Sequence, residues 1–184
     1  MAYVTRAQAL AAAAPAWTTK ASAESEMRKS AGAAISTNYD IFLSHSYEDA
    51  QLIIGVKTLI ERERLSVYVD WIEDPQADRS KVTAETAELL RQRMAHCRFL
   101  LYASSKSSGG SKWMPWELGY FDGLRPNHVG IIPIVDTAGG GFYGQEYLGL
   151  YPAYQLIDFE NIGERLGRFT GRNEGKTLVA SARA

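Results

Sequence analysis

The stretch YDIFLSHSYEDA, residues 39–50, changes character in its middle. YDIFLS is a short apolar run of strand type. SHSYED then sets Ser46 and Asp49 at capping-box spacing, which predicts a helix start. A helix over Glu48–Arg64 follows, with Leu52, Val56, Leu59 and Ile60 on one stripe. One apolar strand handing over directly to one amphipathic helix is the repeating unit of an α/β sheet.

Working outward, the unit recurs. SVYVDW is a second strand, rich in β-branched and aromatic residues, and Trp71 ends it. IEDPQADRSK is a polar loop broken by Pro75. A helix over Thr83–His96 carries Ala87, Leu90 and Met94 on one face. RFLLYAS is a third strand, SKSSGGSK a flexible connection, and HVGIIPIVD a fourth strand whose Pro133, lacking a ladder donor, belongs near its end. A Gly-rich loop leads to a fifth strand, YQLIDF, and a last helix near Ile162–Phe169. Strands separated by helices predict a parallel sheet covered on both faces. Ahead of this pattern, residues 1–37 read as an Ala-rich, partly helical leader. ALAAAAPAW lacks the charge and the apolar core of a signal peptide. The domain is expected over 38–170, with a polar tail over 171–184.

Composition narrows the function classes. The chain has 184 residues, 46% hydrophobic and 22% charged, with net charge −1, which argues against a nucleic-acid binder. No run of 18 apolar residues is present, so no membrane span is expected. Cys97 is the single cysteine, which fits a reducing cytoplasm, and the scattered histidines give no metal-ligand spacing. Gly139–Gly141 follow a strand without a GxGxxG pattern, so no Rossmann-type phosphate loop is expected.

SKWMPWELGYFDG, residues 111–123, is the most unusual segment. Proline is tolerated in a helix's first turn, so Pro115 places Glu117 in the first or second turn, near the positive end of the helix dipole. Trp113 lies four residues before it and Trp116 beside it. Desolvation by indoles raises a carboxyl pKa while a helix N-terminus lowers it. The plain alternative is a helix-terminal glutamate among tryptophans that fill the core.

YDIFLSHSYEDA, then VYVDW before a Pro-containing loop, then Trp113-x-x-x-Glu117, in this order and spacing, together resemble a Toll/interleukin-1 receptor (TIR) domain. The resemblance runs from about Asn38 to Phe159 and is closest to stand-alone bacterial TIR proteins of the Thoeris-like kind used in antiphage defence. It implies a flavodoxin-like five-stranded parallel sheet of order B-A-C-D-E. It also implies a hydrolase- or cyclase-type NADase that cleaves the nicotinamide–ribose bond of NAD+, with Glu117 as the catalytic glutamate. NAD+ enters as substrate, with no resident cofactor and no metal. Residues 72–82 match the family's BB loop, so Asp74 and Pro75 are expected on an assembly loop used for self-association. The family also contains non-catalytic scaffolds, commonly without the glutamate.

Other rim residues weigh less. Ser44, His45 and Ser46 end the first strand and are candidate substrate contacts, although Ser46 has a ready explanation as a helix cap. Phe42 matches the family's first-strand aromatic, with core packing as its default role. Trp71, Trp113 and Trp116 are candidate pocket walls. Arg79 and Lys81 read best as solvated loop charges. The product is expected to be a cyclic or conjugated ADP-ribose signal handed to a separate downstream effector protein.

Overall fold

The computed structural model describes residues 3–13, 34–74, 82–141, 144–155, 158–159 and 162. The strands are β1 (Val4–Thr5), β2 (Tyr39–Ser44), β3 (Val67–Tyr68), β4 (Cys97–Ser104) and β5 (Val129–Val135). The helices are α1 (Arg6–Ala13), α2 (Ala50–Arg62), α3 (Asp70–Glu73), α4 (Ala84–Ala95) and α5 (Trp113–Leu124). All strand pairs are parallel, and the sheet order is β1-β5-β4-β2-β3.

Alternation along the strands sorts the core into two layers. Ile41, Leu43, Phe99, Leu101, Ile132 and Ile134 share one apolar cluster with residues of α1 and α2. Phe42, Leu100, Tyr102, Val129 and Ile131 share the other with residues of α4 and α5. Near-continuous apolar strands buried on both faces are what a doubly covered parallel sheet requires. Each fully buried Ile, Leu or Phe contributes about 1.5–3 kcal/mol relative to exposure. The same parity places Ser44, two residues after Phe42, on the α5 side.

The expected order is kept from β3 through β2 and β4 to β5, but the fifth position differs. Around YQLIDF, Ala153 makes a single parallel bridge to Ile131, and residues 156–157 lie outside the described part. The rest of that edge is taken by β1, with Val4 opposite Ile134 and Thr5 opposite Val135. The two segments divide the edge along its length. A Cβ on Gly130 would sit 2.2 Å from the Tyr154 ring, so the crossing chain approaches β5 too closely for any side chain there.

The leader's first residues are therefore part of the sheet. The Thr5 hydroxyl accepts from the Gln8 backbone N–H at 3.2 Å, and the Gln8 side-chain oxygen accepts from the Thr5 N–H at 2.9 Å. This reciprocal box starts α1. From there α1 packs along α2, with Ala9 fully buried. A Cβ on Gly55 would lie 1.8 Å from the Ala9 carbonyl oxygen. A mid-helix glycine costs about 1 kcal/mol relative to alanine, and here it permits backbone contact between two helices.

Two further expectations are corrected. SVYVDW is strand only at Val67–Tyr68, and Trp71 lies on the short helix α3 rather than at a strand end. The helix expected from Glu48 begins as a 3-10 turn at Tyr47–Asp49 before α2, and neither Ser46 nor Asp49 makes a side-chain cap bond. Pro133 lies two residues before the end of β5, opposite Ser104. The expected last helix falls outside the described residues beyond Ile162.

Candidate active site

Ser44, at the carboxyl end of β2, and Glu117, in the second turn of α5, meet in the interior. The Ser44 hydroxyl donates to Glu117 Oε2 at 2.6 Å, and both residues have no accessible surface. That separation is in the range of charge-assisted O–H···O⁻ bonds. Tyr102 stands opposite Ser44 on β4. Its phenol is pushed well up, by burial first and by Tyr147 next, with the Glu117 charge adding to the shift. Glu117 thus lies between two strand ends and an aromatic helix start, where open parallel sheets bind ligands.

A cleft of about 280 Å³ is lined by Trp113, four residues before Glu117 on α5, with His45, Ser46, Tyr47, Glu48, Gly110, Ser111 and Lys112; Ser44 and Glu117 do not line it. The sequence-expected residues divide around it. Ser44 contacts Glu117 directly, and His45, Ser46 and Trp113 line the cleft. Phe42 is core, stacked on Tyr68 at 5.2 Å. Trp116 turns away from the cleft. It stacks on Tyr120 at 5.7 Å, meets Trp113 edge-on at 5.4 Å, and carries Arg91 over its ring at 5.5 Å.

His45 is buried with both ring nitrogens engaged. Nδ1 donates to the Leu43 carbonyl at 2.8 Å, and Nε2 accepts from Trp71 Nε1 at 2.9 Å. The first bond sets the tautomer that the second requires. Asp70 Oδ1 lies 3.4 Å from the same Nε2. Trp71 therefore orients the histidine instead of lining the cleft.

Asp74, expected on the assembly loop, is buried at the loop's base. Arg93 of α4 grips it with Nε and Nη2, each at 2.7 Å, and the Tyr68 hydroxyl donates to it at 2.7 Å. Arg93 also donates to the Ala34 carbonyl at 2.9 Å. Pro75, Arg79 and Lys81 lie outside the described residues. Beside this pair, Tyr39 donates to Glu73 at 3.0 Å, and burial holds the Glu73 carboxyl above the usual range.

Sequence reasoning missed one clamp. Asp49 accepts hydrogen bonds from Ser105 and, at 3.4 Å, from Ser107. It ties the turn after β2 to the loop before α5, the two segments that form the cleft. The S-x-x-D spacing drew Asp49 into a helix cap. The serine run in SKSSGGSK was the available signal, but it reads equally as a flexible linker.

Two curated relatives resemble the chain. One is named "Probable 3' cyclic ADP-D-ribose synthase ThsB'", from Bacillus cereus (strain MSX-D12), and is 58% identical over 115 residues, 62% of this chain and 59% of that protein. The other is named "Putative cyclic ADP-D-ribose synthase TIR2", from Cytobacillus dafuensis, and is 29% identical over 83 residues, 45% of this chain and 22% of that protein. The chain spans less than two thirds of either relative's length. No family model matches the chain. Both relatives carry the name of a cyclic ADP-ribose synthase, in keeping with the TIR resemblance read from the motifs. Among the described residues, no helix is long and apolar enough to cross a membrane.

Proposed function

We propose that this chain is a TIR-domain enzyme of antiphage defence that cleaves the nicotinamide–ribose bond of NAD+ and closes the product into a cyclic ADP-ribose. The observation that carries the reading is the buried Ser44–Glu117 pair, whose chain neighbours His45 and Trp113 line a cleft. Nicotinamide in NAD+ is cationic. When the C1′–N bond breaks, its electron pair leaves with a neutral ring, so no general acid is needed. One carboxylate is left to support the positive ribosyl centre, and Glu117 does so from a fixed position in a dry surrounding. The Ser44 hydroxyl holds the carboxylate in place. Trp113 excludes water, which favours capture of C1′ by a nucleophile within ADP-ribose, with loss of that nucleophile's proton. The relatives' names support a cyclic product over a linear one or a conjugate. The product serves as a message to a separate effector protein.

The test is nicotinamide release from NAD+ with mass spectrometry of the product. Glu117→Gln is expected to lower turnover about 10²–10³-fold with the fold intact. Wild-type turnover in a folded Glu117→Gln variant would overturn the assignment and leave a scaffold role. Linear ADP-ribose as the sole nucleotide product would overturn the cyclisation.

Self-association belongs to the same proposal. Val82, at the end of the loop, is 65% exposed and Leu150 is 79% exposed, apolar surface suited to a partner copy. Turnover per molecule is expected to rise with protein concentration, and Pro75 and Val82 substitutions should weaken that rise. Concentration-independent turnover would remove assembly from the mechanism.

A further inference from the structure

We infer that the chain carries a second ligand site, for a small phosphate-bearing anion, at the carboxyl ends of β4 and β5. A cavity of about 350 Å³ lies there, lined by Arg6, Ser104, Ser105, Lys106, the strand end 133–136, Thr137, Gly140 and Gly141. Its size is at the lower end of the small-molecule range of about 300–1,000 Å³. Glu117 does not line it, and it shares no lining residue with the cleft at Trp113.

The charge arrangement identifies the ligand class. Arg6 comes from the start of α1 and Lys106 from the loop after β4, and both converge on Asp136. Lys106 Nζ is 2.6 Å from Asp136 Oδ2, and Arg6 Nε is 3.9 Å from Oδ1. The Lys106 hydrogen bond holds the Asp136 carboxyl below its usual range. Two cations against one carboxylate leave the cavity wall with an excess positive charge. Ser104 and Thr137 add hydroxyls, the Ser105 hydroxyl being engaged with Asp49, and Gly140 and Gly141 bring backbone to the rim without side chains. A guanidinium, an ammonium and hydroxyl donors around one small cavity suit a phosphate. Asp136 occupies the cations in the absence of a ligand, so an incoming phosphate competes with it.

That competition fixes the sign of the test. The full chain is titrated at low salt with inorganic phosphate and, separately, with ribose 5-phosphate, by calorimetry and by amide chemical shifts. Shifts are expected at residues 104–106 and 137–141. Lys106→Gln should weaken binding about tenfold, the usual scale for losing a charge-assisted hydrogen bond. Asp136→Asn should tighten it several-fold, and Glu117→Gln should leave it unchanged. Glu88→Gln, an equal change of net charge at an exposed site on α4, controls for general electrostatics. Tighter binding of ribose 5-phosphate than of phosphate assigns the site to a phosphate ester. The reverse assigns it to free phosphate, and both uphold the site. Absence of shifts at these residues with either probe, or Asp136→Asn binding no more tightly than Glu88→Gln, overturns it. The result does not depend on the reaction assigned to Glu117.

Discussion

At the middle of the sheet, Ser44 meets Glu117 across 73 positions of sequence because β2 and α5 are each well-patterned elements that bury the facing side. At the edge, Val4 and Thr5 meet Ile134 and Val135 with two residues of strand. What holds this edge is the fit of a small-residue helix, α1, against Gly55 of α2. The centre is secured by side-chain area and buried polar bonds, the edge by backbone proximity. The first kind of contact tolerates adjustment of neighbouring side chains; the second has no side chain to adjust.

The largest effect is expected at a buried polar pair beside β3, on the side of the sheet away from β1. Asp74→Ala leaves Arg93 charged and buried beside Tyr68, a change that costs about 3–5 kcal/mol. Urea unfolding should show it as a lower midpoint. A loss below about 1 kcal/mol, the scale of an exposed pair, would make the Asp74–Arg93 bond a surface-like contact. Buried polar bonding would then cease to be stronger than the backbone contact that holds the β1 edge.

Next comes the edge. Gly55→Val sets branched carbons against the Ala9 carbonyl, and overpacking of this kind costs about 1–3 kcal/mol. Hydrogen exchange should show residues 4–13 released while β2 and β4 stay protected. Uniform loss of protection would mean that edge and centre unfold as one unit and that the contrast between them is geometric only.

The smallest effect sharpens the role of the centre in chemistry. Ser44→Ala removes the donor to Glu117, and losing one hydrogen bond to a buried charged group costs about 1–3 kcal/mol. About tenfold lower kcat is expected with KM little changed, because the serine positions the carboxylate without holding substrate. A change confined to KM would instead make Ser44 a substrate contact.

The centre was legible because its signals were redundant. The apolar runs YDIFLS and RFLLYAS, the first-turn proline before Glu117 and the order of motifs all led to one sheet with the glutamate at its rim. The edge was not, because alanine-rich sequence between Ala7 and Ala13 carries no amphipathic contrast, and a two-residue strand has no period. Thr5 and Gln8 held a capping signal there that an alanine run obscured. Trp71 and Asp74 were misplaced for a different reason. VYVDW has strand composition, but the chain turns into a helix at Asp70, and burial of a charged residue such as Asp74 depends on Arg93 arriving from another helix. Trp113 and Trp116 were equally conspicuous in sequence, and only helix geometry assigns one to the cleft and the other to Arg91.

The Glu117 side chain has no accessible surface, and this bears on rate. In the proposed reaction a substrate atom reaches the carboxylate only in the fraction of molecules whose cleft has opened, so the apparent dissociation constant is the intrinsic value divided by that fraction. Additives that favour compact states, such as sucrose, should then slow the isolated protein while raising its melting temperature. A partner that binds the open form would act as an activator without touching the chemistry, by altering how often the carboxylate is exposed.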